Sequence, residues 1–120
     1  MTESTESLDL EEEFDAETSF SSLKNTVLKD ETVERLSSLF SAFSDATRLK
    51  IIHALSKEEL CVHELATLLN AKQSGISQHL KILWQVRIVE RRKVGLHVFY
   101  KCSDAHIENI FAQGKEHVQE

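Results

Sequence analysis

Two features predict a mainly α-helical chain with a small β-hairpin near its end. The 120 residues hold no proline and only three glycines, Gly75, Gly95 and Gly114, so few positions interrupt a helix. Along most of the chain apolar residues recur three and four apart, the spacing of a helix with one buried face. Only residues 86–102, VRIVERRKVGLHVFYKC, change to a period of two. This length allows one compact domain at most. The 41% of hydrophobic residues suffice for a core, but so short a chain gains much from a partner.

The elements follow in order. Thr18 to Leu28 is weakly amphipathic, with Phe20, Leu23, Val27 and Leu28 apolar. Asp30 reads as the N-cap of a helix whose stripe is Val33, Leu36, Leu39, Phe40 and Phe43. Asp45 caps a second, with Leu49, Ile51, Ile52 and Leu55 apolar. A shorter helix is expected from Glu59 to Leu69, turning Leu60, Leu65, Leu68 and Leu69 inward. After a break at Asn70-Ala71-Lys72, a helix from Gln73 to Val86 buries Ile76, Leu80, Leu83 and Trp84. In the hairpin Leu96, Val98, Tyr100 and Cys102 share one face, with Val94-Gly95 in the middle. Ser103 or Asp104 then caps a last helix to the C-terminus. Helix, helix, short helix, turn, helix, basic hairpin, helix is the order of a winged helix-turn-helix.

Charge divides the chain. Residues 1–20 carry eight acids and no Lys or Arg; removing them from the net charge of −6 leaves +2 on the rest. Residues 72–101 hold seven cations and one acid. Residues 1–17 are therefore expected to form an acidic disordered tail, and 18–120 a winged helix-turn-helix domain for DNA binding and dimerisation. The N-terminus has no basic start and no apolar stretch, so no signal peptide is expected, and no apolar run is long enough for a membrane span. Cys61 and Cys102 give no disulfide framework, and a reducing cytoplasmic location is expected. No nucleophile–base motif or glycine-rich phosphate loop is present, so neither an enzyme nor a small-molecule substrate is expected.

The candidate nucleic-acid contacts follow from the charge. A helix fits the DNA major groove, where polar side chains reach base edges. The outer face of the Gln73 helix carries Gln73, Ser74, Ser77, Gln78 and Lys81. The hairpin brings Arg91, Arg92 and Lys93 toward phosphates. A solvated helix face and a plain surface ribbon are the alternatives; order and charge together favour double-stranded DNA.

From Leu39 to Glu120 the chain resembles the ArsR/SmtB family of metal-sensing repressors. The resemblance rests on FSDATRLKIIHAL (43–55), ELCVHELA (59–66), QSGISQHLKIL (73–83) and RKVGLHVFYKCSDAHI (92–107). It implies a homodimer that binds operator DNA when metal-free, lets go when metal binds, and controls metal efflux or sequestration genes. His79 falls in the family's Ser-x-x-Ser-x-His-Leu stretch, where it either contacts DNA or is structural. One family metal site lies on the last helix, with Asp-x-His near its start and His-x2-Glu near its end; Asp104, His106, His117 and Glu120 match it. A second family site uses a Cys of the ELCV segment. Cys61 and His63 stand there, but the N-terminal arm has no Cys or His to complete it.

Helix geometry bears on the first site. Eleven residues rotate a helix by about three turns plus 20°, so His106 and His117 point the same way, about 16 Å apart along the axis. Zinc holds its ligands at about 2 Å, so one ion cannot bridge them within a helix. Two antiparallel copies of the helix bring His106 and Asp104 of one chain to His117 and Glu120 of the other. Two imidazoles and two carboxylates suit Zn(II), with Co(II) or Cd(II) as further candidates. The alternative is a repressor of the same fold answering another signal, namely cadmium, arsenite or thiol redox through Cys61.

Overall fold

The computed structural model describes residues 19–120; the acidic tail expected over 1–17 lies outside them. The chain divides into one unit ending at Val33 and another from Glu34 to Glu120. In the first, residues 19–24 form a helical turn, closed where Thr26 N–H and Oγ1 both donate to the Leu23 carbonyl at 2.8 and 2.7 Å. Its apolar side chains Phe20, Leu23, Val27 and Leu28 are all more than half exposed.

The elements are α1 (Asp30–Phe43), α2 (Ala46–Leu55), β1 (Leu60–Cys61), α3 (Val62–Leu69), α4 (Gln73–Gln85), β2 (Val89–Val94), β3 (His97–Cys102) and α5 (Ala105–Gln119). Asp30, expected as an N-cap, is instead the first helical residue of α1. The Lys29 carbonyl accepts the first helical bond, from Val33 N–H at 3.0 Å. An acid one position inside still meets the positive end of the helix dipole, so the sequence signal is nearly the same at either place. Asp45 does cap α2, its carboxylate accepting Arg48 N–H at 3.0 Å.

The segment expected as one helix from Glu59 divides in two. Leu60 and Cys61 pair with Tyr100 and Phe99 of β3, giving an antiparallel sheet in the order β1-β3-β2. The helix begins only at Val62, where the Glu64 carboxylate accepts the Cys61 N–H at 3.0 Å. Asn70 ends α3 in the left-handed conformation, φ 53°, an exception that Asn tolerates better than most residues. Helix α4 follows after two residues, so α3 and α4 are the helix-turn-helix.

Helix α4 ends in the same way but on a less suitable residue. Arg87 has φ 64°, Ile88 N–H reaches the Leu83 carbonyl at 2.9 Å, and Arg87 N–H reaches that of Trp84 at 3.1 Å. These are the two bonds of a Schellman motif. The hairpin turns on Gly95-Leu96, since Val94 pairs with His97. Gly95 takes φ +62°, as the first central position of a type II′ turn requires.

The core gathers Ile51, Ile52, Leu55, Leu65, Ile76, Leu80, Leu83, Ile88, Val89, Cys102 and Ile107, all buried, and among the described residues no polar side chain is buried. Three residues expected inward are not. Leu68 is 62% and Trp84 42% exposed, and Leu96 stands in the turn at 94%. Leu68 and Trp84 sit at the edges of their helical stripes, where the core is already filled by Leu65 and Ala66 and by Leu80 and Leu83. No described helix is long and apolar enough to cross a membrane.

Candidate nucleic-acid interface and metal-ligating residues

Because Ile76, Leu80 and Leu83 anchor one side of α4, the opposite side faces out. Gln73, Ser74, Ser77, Gln78 and Lys81 are all exposed, in the register expected for groove contacts. The Gln73 amide nitrogen donates to His63 Nδ1 at 3.1 Å, which links the first turn of α4 to α3. His79 differs from its neighbours. Its side chain is 26% exposed, and its Nδ1 lies 3.2 Å from Arg48 Nη1 and 3.8 Å from Asp45 Oδ2. A guanidinium only donates, so Nδ1 is the acceptor in the contact with Arg48. Arg48 itself donates through Nε to the Ala42 carbonyl at 2.7 Å. His79 thus fastens α4 to the start of α2, a structural duty that exists without DNA.

The hairpin cations are not equivalent. The Arg91 guanidinium stacks 4.1 Å over the Trp84 ring, an arrangement that holds the charge without neutralising it. Arg92 forms a two-pronged ion pair with Glu59, at 2.7 and 2.9 Å. That contact holds the Glu59 carboxyl below the usual carboxylate range, and it raises Arg92. Lys93 makes no ion pair with a described residue. Glu59 and Trp84 were missed in the sequence as parts of this surface. Glu59 lies 33 residues from its partner, and no local pattern marks such a pair.

Helix α5 carries the four expected metal ligands at its two ends. Asp104 is its N-cap, with Oδ1 accepting Ile107 N–H at 3.1 Å. The same oxygen lies 3.5 Å from His106 Nδ1, and the His106 side chain is 90% exposed. His117 occupies the last helical turn and Glu120 follows it. Among the described residues no three His, Cys, Asp or Glu side chains stand close enough to hold an ion, so one chain offers at most a donor pair at each end. Between the ends, Ile110, Phe111 and Val118 line an open apolar groove with Phe40, Phe43 and Leu49. Phe111 also stacks on His53, ring centres 5.5 Å apart.

The cysteines do not form a pair. Cys61 stands opposite Phe99, so Cys102 is three residues further along β3, about 10 Å. A disulfide needs Cα atoms within roughly 7 Å, and both thiols are free. This removes a switch that closes a Cys61–Cys102 bond. Burial, with smaller contributions from Glu108 and Asp104, raises the Cys102 thiol from 9.0 to about 11. Any stability this buried thiol contributes is present below about 9 and is lost as the pH rises toward 11. A thiol-labelling reagent at neutral pH is expected to modify one cysteine per native chain and the second only in denaturant. Two fast thiols in the native protein contradict this assignment.

A short turn between α3 and α4, an exposed polar face on α4 and a basic hairpin after it define a winged helix-turn-helix of the DNA-binding type. Known proteins agree. The family model described as bacterial regulatory protein, arsR family, matches residues 45–91. A transcriptional repressor SmtB homolog of Synechocystis sp. is 35% identical over 94 residues, covering 78% of this chain and 71% of that one. A cadmium resistance transcriptional regulatory protein CadC homolog of Staphylococcus aureus is 36% identical over 83 residues, 68% of this chain and 69% of that protein. In fold, the homodimeric winged helix-turn-helix DNA-binding domain of a possible ArsR-family regulator from Mycobacterium bovis superposes with a TM-score of 0.73. It is 22% identical and covers 78% of this chain and 89% of that one. The chain belongs to the arsR family of bacterial regulatory proteins. It is a transcriptional regulator, not an enzyme.

Proposed function

We propose that this regulator is a metal-responsive repressor. It binds operator DNA as a metal-free homodimer and dissociates when Zn(II) is taken up between the last helices of the two chains. The observation that carries the reading is the placing of the candidate ligands at the two ends of α5, Asp104 beside His106 at its start and His117 and Glu120 in and after its last turn, on a helix that also lines an exposed apolar groove. Phe40 is 50%, Leu49 38% and Val118 78% exposed in the single chain. Covering such surface drives association, and a two-fold pairing of α5 completes both donor sets at once. Asp104 and His106 of one chain with His117 and Glu120 of the other would hold the zinc, which would supply a cross-link between the two chains. The related protein described as a cadmium resistance transcriptional regulatory protein supports a metal as the signal. Co(II) and Cd(II) suit the same donors.

On the DNA side, Gln73, Ser74, Ser77, Gln78 and Lys81 would face the major groove, and Arg91 and Lys93 the phosphates. His79 would support this face through Arg48.

The test is DNA binding with and without zinc, with sedimentation of the same samples. A dimer that releases DNA on zinc addition supports the reading; a monomer at micromolar concentration, or unchanged affinity with zinc, sinks it. In the same assay Lys93→Ala is expected to weaken binding to all sequences alike and to flatten the log–log salt slope by about one unit. Gln78→Ala is expected to relax sequence preference, at about 1–3 kcal/mol. An equal loss on operator and random DNA removes Gln78 from base readout.

A further inference from the structure

We propose that Glu59 is a built-in counter-charge of the wing, which keeps Arg92 from the phosphate backbone and thereby sets how tightly the protein holds DNA. The inference rests on the DNA-binding reading above. The sheet register brings the two residues together. Cys61 pairs with Phe99, and Phe99 pairs with Arg92 on its other side. Glu59 stands just before β1, so its side chain can meet Arg92 from across β3. Arg92 Nε donates to Oε2 at 2.7 Å and Nη2 to Oε1 at 2.9 Å. The guanidinium carbon lies 5.9 Å from the centre of the Phe99 ring.

A single exposed ion pair contributes little and yields readily to a phosphate. This one has features that such pairs lack. Both carboxylate oxygens are engaged in the planar fork that suits a guanidinium. The Glu59 side chain is only 26% exposed, and its backbone is held next to a paired strand. Moving Arg92 to a phosphate gives up both hydrogen bonds and the contact with Phe99. The neighbouring cations differ: Arg91 keeps its charge over Trp84, and Lys93 pairs with no described acid. Of three consecutive basic residues, the middle one is silenced.

The experiment compares the full-length protein with E59Q, R92Q and the double variant. Binding to a short random-sequence duplex is measured by fluorescence anisotropy over a series of potassium chloride concentrations. Glutamine keeps the size of Glu59 but removes its charge and one of its two acceptor oxygens, which breaks the fork that holds the arginine. E59Q is expected to steepen the log–log salt slope by about 0.9, one added phosphate contact, and to bind up to about 8-fold tighter at 0.1 M salt. In the R92Q background the same change is expected to bring no steepening, because there is no guanidinium to release. An unchanged slope in E59Q overturns the proposal. So does an equal gain in the R92Q background, which reduces Glu59 to a diffuse negative charge. A slope flattened by R92Q alone, as by Lys93→Ala, also overturns it, because Arg92 then already holds a phosphate. If E59Q does not fold, R92Q decides alone: an unaltered slope supports the clamp, a flattened one refutes it. Failure of the parent to bind any duplex is a different result and removes the DNA-binding reading itself.

Discussion

A chain carrying His117→Ala is expected to bind operator DNA without metal as tightly as the parent, and to keep it at zinc concentrations that release the parent. His106→Ala is expected to behave alike, although the two residues stand at opposite ends of α5. The equivalence is the informative part. In a site within one chain, side chains about 16 Å apart serve different purposes, and their removal gives different phenotypes. In a site shared across a two-fold axis, each is half of the same imidazole pair. Coupling between effector and DNA is typically about 1–3 kcal/mol, a 5- to 150-fold change in DNA affinity, and by linkage DNA weakens metal uptake by the same factor. Asp104→Asn separates two roles of one residue. Asparagine caps a helix as well as aspartate, so α5 and the Ile107 N–H bond are expected to survive, while the carboxylate charge toward the ion is lost. Normal release by either histidine variant removes the last helix as sensor and leaves Cys61 with His63 as the next candidate.

Leu83→Ala is expected to have the largest effect on stability. Leu83 is fully buried, and its carbonyl takes the Ile88 N–H that closes the end of α4. Truncating a buried leucine costs about 2–5 kcal/mol, against about 5–15 kcal/mol for a whole domain. Urea unfolding monitored by helicity measures the loss. Protein concentration must match between variants, because an associating chain gains stability by mass action. A shift within about 0.5 kcal/mol, the range of ordinary surface substitutions, contradicts the placement of Leu83 at the centre of the core.

Much of this architecture is legible in the residues themselves. Three-and-four spacing located α1, α2 and α4, Asp45 marked the start of α2, and of the two candidate caps Ser103 and Asp104 the second begins α5, because a capping carboxylate acts within three residues. The Gln73 to Lys81 face was legible because Ile76, Leu80 and Leu83 determine which side of α4 is left outside. Leu60-Cys61 was not, since a strand of two residues has no period and exists only through its pairing with Phe99 and Tyr100. The Arg92–Glu59 pair was hidden for the same reason: its partners meet through the sheet, not through the chain. Of the candidate metal site, the helix made the spacing of His106 and His117 readable as on a ruler. The closing of the site, as proposed, depends on a second copy and is not legible in one chain.

The joint between α4 and the wing bears on the operator. Only Val86, Arg87 and Ile88 lie between the helix and β2. The middle one is in a left-handed turn, and Ile88 and Val89 are sealed in the core. Such a joint has no slack, so reading helix and wing travel as one body. On the proposed reading, a rearrangement at the dimer seam leaves the recognition of a half-site intact and changes the distance and phase between two half-sites. Induction by the proposed route would then act through the operator's spacer. DNA with a base pair inserted or removed between half-sites is expected to discriminate the two forms of the protein differently from the natural spacing, while substitutions within a half-site weaken both forms in equal proportion.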